Sequence, residues 1–366
     1  TTATVPKLTN ANTTITKTPS DWTNQSVTAK AETTEKGYSL QTKKDNGEWQ
    51  NTDTQNYTEN GTIYARLWDG TNAGEEIYKP ITNIDKTAPT ATGAEIKNVT
   101  AAGYDVYVYG VKDAGSGVNR VQFPTWTEAK GQDDIQPNWQ TGESSKGTKQ
   151  ADGTTWVYHV NITDHKTEAG EYNTHIYAYD NLGNGKCIGT QKVTIPMVKI
   201  TYDENYVKDG TTNKQTVEKV YNTELGTLGT PTRTGYTFAG WYTEAAGGTQ
   251  ISSTTKTPVT DTTYYAHWTA NQLNFANQTI TKTFSTGAQT AGITGASNGT
   301  GSYTYTEKTE KNASGTATNY ISISGTTINI AANTPAGTYT YVITATDNGS
   351  KVTKDKERIK EAGYEL

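Results

Sequence analysis

The stretch TGYTFAGWYTEAAGGTQI, residues 234–251, decides the fold class. Phe238, Gly240 and Tyr242 alternate with Ala239, Trp241 and Thr243, the two-residue period of a β-strand. Neighbouring glycines let an indole ring lie close over backbone. Large aromatic side chains in a small domain are mostly buried, so Gly240, Trp241 and Tyr242 read as core. An exposed platform that stacks sugar rings is the alternative for the same residues. Apart from threonine, the stretch holds nothing suited to nucleophilic catalysis.

The whole chain has the same character. Among its 366 residues, hydrophobic types make up only 32%, yet there are 24 Tyr and 8 Trp, with one Met and one Cys. Disordered chains are poor in aromatic residues, so a folded protein is expected. Apolar content spread this thinly suits several small domains with much surface each. Abundant threonine and tyrosine with scarce leucine favour strand over helix. Mean hydropathy is −0.76, and no apolar run approaches the ~18 residues that cross a bilayer. A net charge of −5 with interspersed signs lacks the basic footprint of a nucleic-acid partner. Cys187 stands alone, which excludes an internal disulfide. The opening TTATVPKLTN lacks a leader pattern, as expected if a secretion signal has been removed or lies outside this sequence.

Short alternating runs divided by turn signals organise the chain. In GTIYARLWDG (61–70), Ile63, Ala65 and Leu67 share one face, and Tyr64, Arg66 and Trp68 the other. QSVTAKAE, YSLQTKK and GEWQNT precede it, and NIDKTAPT (83–90) closes the segment, with Pro89 stiffening the seam. This order resembles bacterial immunoglobulin-like surface modules and implies a β-sandwich over 1–88. Residues 89–197 carry YDVYVYGV, FPTW (123–126), GQDDIQPNW (131–139), TTWVYHVNITDHKTEAGEY and THIYAYDNLGN. They resemble the group B streptococcal Bsp-like repeat, which implies a second sandwich and a cell-wall-associated setting. PTRTGYTFAGWYT, GGTQI and DTTYYAHW, within 198–270, resemble the Listeria-Bacteroides repeat, which implies a small β-grasp-like domain. AGTYTYVITATD (336–347) resembles immunoglobulin- and cadherin-like modules, so 271–366 is expected to be a third sandwich. Its charged tail, KVTKDKERIKEAGYEL, lacks a clean alternating strand and should fray or close the domain unusually. The expected fold is all-β: tandem small sandwiches and one β-grasp-like domain, strung as an elongated rod.

Candidate sites are few. Asp113, ahead of Ala-Gly-Ser-Gly, reads as a turn former. Calcium is the sharper alternative, weakened because one carboxylate in a loop falls short of an oxygen cage. His159, His165 and His175 follow no zinc spacing and are expected to be structural. A pair such as Asp133 and Asp134 could serve a glycosidase, but adjacent strand residues diverge, and turn formation fits better. No serine elbow, zinc-helix motif or phosphate loop is present. A non-enzyme without metal or cofactor is therefore expected. The reading is a non-catalytic extracellular stalk or adhesin region of a bacterial surface or secreted protein, monomeric and without membrane insertion. The alternative is a glycan- or wall-binding accessory region of a wall hydrolase. Ligands would be cell-wall or host glycans or host surface proteins. The best candidates for contact are Trp126 and Trp139, whose ring faces could pack on sugars, with Asp133 and Asp134 as hydroxyl acceptors.

Overall fold

The structure, a computed structural model, describes residues 4–357. Strands dominate it, with three single-turn 3-10 segments and no α-helix among the described residues. The chain forms two compact units, one carrying strands β1–β14 and the other β15–β24.

In the first unit, β1 (Thr13–Thr18), β2 (Val27–Thr33) and β4 (Thr54–Tyr57) form one antiparallel sheet. β3 (Ser39–Lys44), β5 (Gly61–Trp68) and β6 (Ile77–Ile81) form the other. β5 shows why they pack. Ile63, Ala65 and Leu67 are fully buried between the sheets beside Val27, Ala29 and Tyr57, while Tyr64, Arg66 and Trp68 face outward. The Arg66 guanidinium caps the Trp49 ring at 4.1 Å, a cation–π contact that covers the outer face. GEWQNT, expected as a strand, is a loop held to β3 by the Thr42–Gln50 bridge; the strand begins at Thr54.

A second pair of sheets follows in the same unit. β7 (Gly93–Thr100), β8 (Gly103–Tyr109), β11 (Thr148–Lys149) and β12 (Trp156–Asn161) pair in the order β11-β12-β8-β7. The other sheet places β13 (Gly170–Asp180) between β10 (Thr125–Thr127) and β14 (Gly185–Ile195), with β9 (Val118–Gln122) also on β13. Tyr104, Val106, Val108, Phe123, Tyr172 and Ile176 fill the space between, all at 2% exposure or less. The Tyr104 hydroxyl is satisfied by Thr174 Oγ1 at 2.8 Å, as burial of a polar tip demands.

The second unit opens with a four-stranded mixed sheet of β15 (Val198–Lys208), β16 (Thr211–Lys219), β17 (Tyr236–Tyr242) and β18 (Thr262–Ala270). Its order is β16-β15-β18-β17, with β15 and β18 parallel at the centre. That is a β-grasp arrangement, with irregular chain rather than a helix in its connections. Trp241 is 5% exposed and donates its indole N–H to the Gly229 carbonyl at 2.7 Å. The simple alternation expected for β17 breaks at a bulge between Phe238 and Gly240. Ala239 is the extra residue, and Phe238 and Trp241 meet at 5.6 Å between ring centroids instead of facing opposite ways. Gly240 permits the bulge, with φ +131° and Gln250 lying where a Cβ would go.

The last pair of sheets is β19 (Gln289–Gly292), β22 (Thr327–Ile330) and β21 (Ile321–Ser324) against β20 (Tyr303–Asn312), β23 (Tyr339–Asp347) and β24 (Thr353–Glu357). Tyr339, Tyr341, Ile343 and Ala345 are buried along one face of β23. The first part of the charged tail supplies β24, antiparallel to β23. The rest of the tail lies outside the described residues.

Candidate functional site

β13 builds a half-buried aromatic face on the first unit. Its sequence, GEYNTHIYAYD, buries Tyr172, Thr174, Ile176 and Ala178 and turns His175, Tyr177 and Tyr179 to the opposite side, half-buried. β10 lies alongside with Trp126 paired to Asn173. Its indole therefore meets the diagonal neighbour His175, ring centroids 4.8 Å apart and edge-on. Tyr177 follows at 6.5 Å from His175, and Trp139 packs on Tyr177 at 4.7 Å. Arg120 extends the row by stacking over Tyr179 at 4.2 Å. Trp126, His175, Tyr177 and Trp139 thus form a continuous strip of half-buried rings.

Trp139 arrives from the loop between β10 and β11, and buried polar side chains fix that loop. β10 is an edge strand, and backbone N–H groups on its free edge need acceptors. Gln136 Oε1 accepts the Thr125 N–H at 2.9 Å, and the Asp134 carboxylate accepts the Thr127 N–H at 3.1 Å. The Gln136 amide in turn donates to the Tyr158 hydroxyl, 2.9 Å away. Ser145 Oγ donates to the Trp139 carbonyl at 2.8 Å. Loop residues therefore occupy the edge that another strand could otherwise join, and they hold Trp139 over Tyr177.

The four residues singled out from sequence divide into two kinds. Trp126 and Trp139 come together on the strip through His175 and Tyr177. Asp134 turns inward: its side chain is buried beside His165, whose Nδ1 lies 3.1 Å from the Asp134 carbonyl oxygen and 3.6 Å from its carboxylate. It is a backbone anchor, so a role accepting ligand hydroxyls is corrected. Asp133 is exposed and pairs with Lys166 at 2.6 Å, engaged by that cation rather than set on the strip. The free N–H groups of a short edge strand explain the inward turn of Asp134, which sequence alternation did not reveal.

The histidines have separate settings. His159 is exposed and bonds Asp105 at 2.7 Å. His165 is 1% exposed; burial lowers its pKa, although the Asp134 carboxylate pulls the other way. Burial also lowers that of His175, leaving a neutral ring in the strip at pH 7. The lone thiol, Cys187, is exposed.

Among the described residues, Asp85, Asp113 and Asp180 are the acidic group whose spacing could hold a metal ion, one oxygen of each lying within 4.8 Å of the others. Each is already engaged by backbone donors. Asp113 accepts the N–H of Gly115 and Gly117, the turn expected from sequence. Asp85 accepts from Ser116 and Thr87, and Asp180 from Leu182 and Asn184. The sequence placed one carboxylate in this loop; the fold adds two from distant segments.

Residues 94–193 match the family described as the GBS Bsp-like repeat, and residues 199–267 match the Listeria-Bacteroides repeat domain. The chain is thus modular over these residues, with one matched repeat in each compact unit. Similar solved structures include a tetra-tandem repeat from the extending region of a large adhesion protein. It has 13% identity and TM-score 0.27, with 94% of this chain and 98% of that one covered. Cadherin domains 3–6 of protocadherin gamma B2 give 9% identity and TM-score 0.25, with 96% and 100% covered. A polysaccharide deacetylase from Bacillus cereus gives 14% identity and TM-score 0.22 over 30% of this chain, which spans 31% of that protein. No helix among the described residues is long and apolar enough to cross a membrane.

Proposed function

We propose that this chain is a non-catalytic, adhesive region of a bacterial surface or secreted protein, acting outside the cell as a monomer. Its contact surface is the ring strip of β13, and its ligand is a cell-wall or host glycan. The observation that carries this reading is the row Trp126, His175, Tyr177 and Trp139, held half-buried by a loop whose polar anchors are satisfied. Sugar rings present C–H faces that pack on aromatic faces. Rings fixed in advance lose little freedom on binding. A neutral His175 adds a flat ring without desolvating a charge.

Sedimentation of the chain with insoluble wall polysaccharide, alongside a glycan array, tests the proposal. Trp126→Ala and Trp139→Ala should each weaken retention about tenfold, equivalent to ~1.4 kcal/mol, with unchanged melting. Retention that survives the double substitution, or no retention by the parent chain on any glycan, would remove the strip from the account.

A further inference from the structure

We infer that the β15–β18 module carries a separate binding cleft, selective for a saccharide that bears an anionic group. The cleft is an open surface hollow of about 690 Å³. Its most telling member is Arg233. The guanidinium carbon lies 3.8 Å from the Tyr236 ring centroid, 4.8 Å from that of Tyr206 and 5.9 Å from that of Trp268. No carboxylate among the described residues lies within ion-pair distance of it.

Arginine is permanently charged, and its planar group stacks on rings while its N–H donors point outward in the plane. Lys208 also lines the cleft, and no Asp or Glu does. Arg233 and Lys208 are the charged side chains of this lining, while Glu204 and Asp209 border the adjoining hollow that shares Tyr206, Lys208 and Thr232.

The surrounding rings are held in place. Tyr206 donates its hydroxyl to the Thr232 carbonyl at 3.0 Å, and the Trp268 indole N–H donates to the Glu204 carbonyl at 2.8 Å. Tyr206 and Phe238 each stand across the Trp268 ring at 5.6 Å. With their polar tips tied off, these rings offer faces rather than hydrogen bonds. Thr230, Thr232 and Thr234 on the lining supply hydroxyls. Gly235, at φ +81°, lets the β17 turn approach Thr300, which borders the same hollow; a Cβ there would lie 2.7 Å from the Thr300 nitrogen. A carboxylate or phosphate would receive paired N–H donors from Arg233, while the attached sugar packs on the rings. Alternating ring faces and hydroxyls suit a saccharide better than an acidic peptide. The strip on β13 lies in the other unit, so the two sites can fail independently.

The test is a titration of the full chain with four probes, followed by calorimetry and tryptophan fluorescence. The probes are an oligouronate, a hexose-phosphate oligomer, a neutral glucan oligomer and an oligoglutamate. Binding of the oligouronate, the hexose-phosphate oligomer or both is expected, and their comparison identifies the anion. Binding should weaken with added salt, and the neutral glucan should bind at least tenfold more weakly. Arg233→Ala should reduce affinity tenfold or more and Arg233→Lys by less. Lys208→Ala, on an exposed hairpin, should reduce it two- to fivefold without risk to folding. The Trp126→Ala, Trp139→Ala double variant should bind these probes as the parent does. No binding of either anionic saccharide, equal binding of oligoglutamate, or full affinity in both Lys208→Ala and Arg233→Lys would overturn the inference.

Discussion

The carboxylate of Asp134 accepts the backbone N–H of Thr127 at 3.1 Å, and the aromatic face of β13 depends on that bond. It ties the loop carrying Trp139 to the edge strand carrying Trp126. Removing it leaves a buried N–H without an acceptor, at a cost of ~1–3 kcal/mol. Asp134→Ala should therefore lower the unfolding free energy of the first unit by that amount. Asp133→Ala, which breaks only an exposed pair with Lys166, should change it by less than about 1 kcal/mol. Equal effects in urea melts would contradict the inward placement of Asp134.

Acid should weaken the same region through two histidines. Burial lowers the pKa of both His165 and His175, so the unfolded chain binds their protons first as pH falls. Their contribution is complete above the ordinary histidine value, about 6.5, and is lost as pH drops from there towards the folded values. Melting followed between pH 7.5 and 5 should show stability falling on acidification. His165→Asn should flatten that slope, and a slope unchanged by the substitution would count against this origin.

Two carboxylates set a second, lower pH window. Burial works to raise the pKa of Asp85, but donors from Ser116 and Thr87 prevail and hold it at about 2. Asp347 is likewise pushed up by burial and held at about 2 by the hydroxyls and N–H groups of Ser350 and Thr300. Stability from both is present above the ordinary carboxylate value, about 3.9, and lost as pH falls through about 2. Asp347→Asn should shift the acid transition of the second unit upward in pH and leave that of the first unit in place. Carboxyl chemical shifts recorded against pH would verify the two values.

The tryptophans should separate by depth. Trp241 is 5% exposed and Trp22 44%. Trp241→Ala removes a buried indole and should cost about 3–5 kcal/mol. Trp22→Ala should stay within about 0.5 kcal/mol of the parent. Chemical denaturation of both variants distinguishes rings that pack the interior from rings free to meet a ligand.

Much of the fold could be read from local pattern. β5, β8, β13 and β23 bury the alternating residues that their spacing implies, because one face of each is pressed against a partner sheet. Departures occur where a local event breaks the period. The extra residue Ala239 puts Phe238 and Trp241 side by side, and the glycine that allows it was visible without showing which way the strand would slip. Trp126 and Trp139 were legible as candidates, but their convergence depends on long-range pairing of β10 with β13. Asp85, Asp113 and Asp180 meet for the same reason, and no spacing along the chain announces them. Arg233 was hidden differently: a cation followed by Thr-Gly-Tyr looks like an ordinary turn until Tyr206 and Trp268 close around it.

The most direct measurement is a binding isotherm of the full chain for the glycan that scores highest on an array, repeated with the Trp126→Ala, Trp139→Ala double variant at matched melting temperature. The account predicts saturable binding by the parent and a loss of at least tenfold in the variant. An isotherm unchanged by removing both indoles would contradict it.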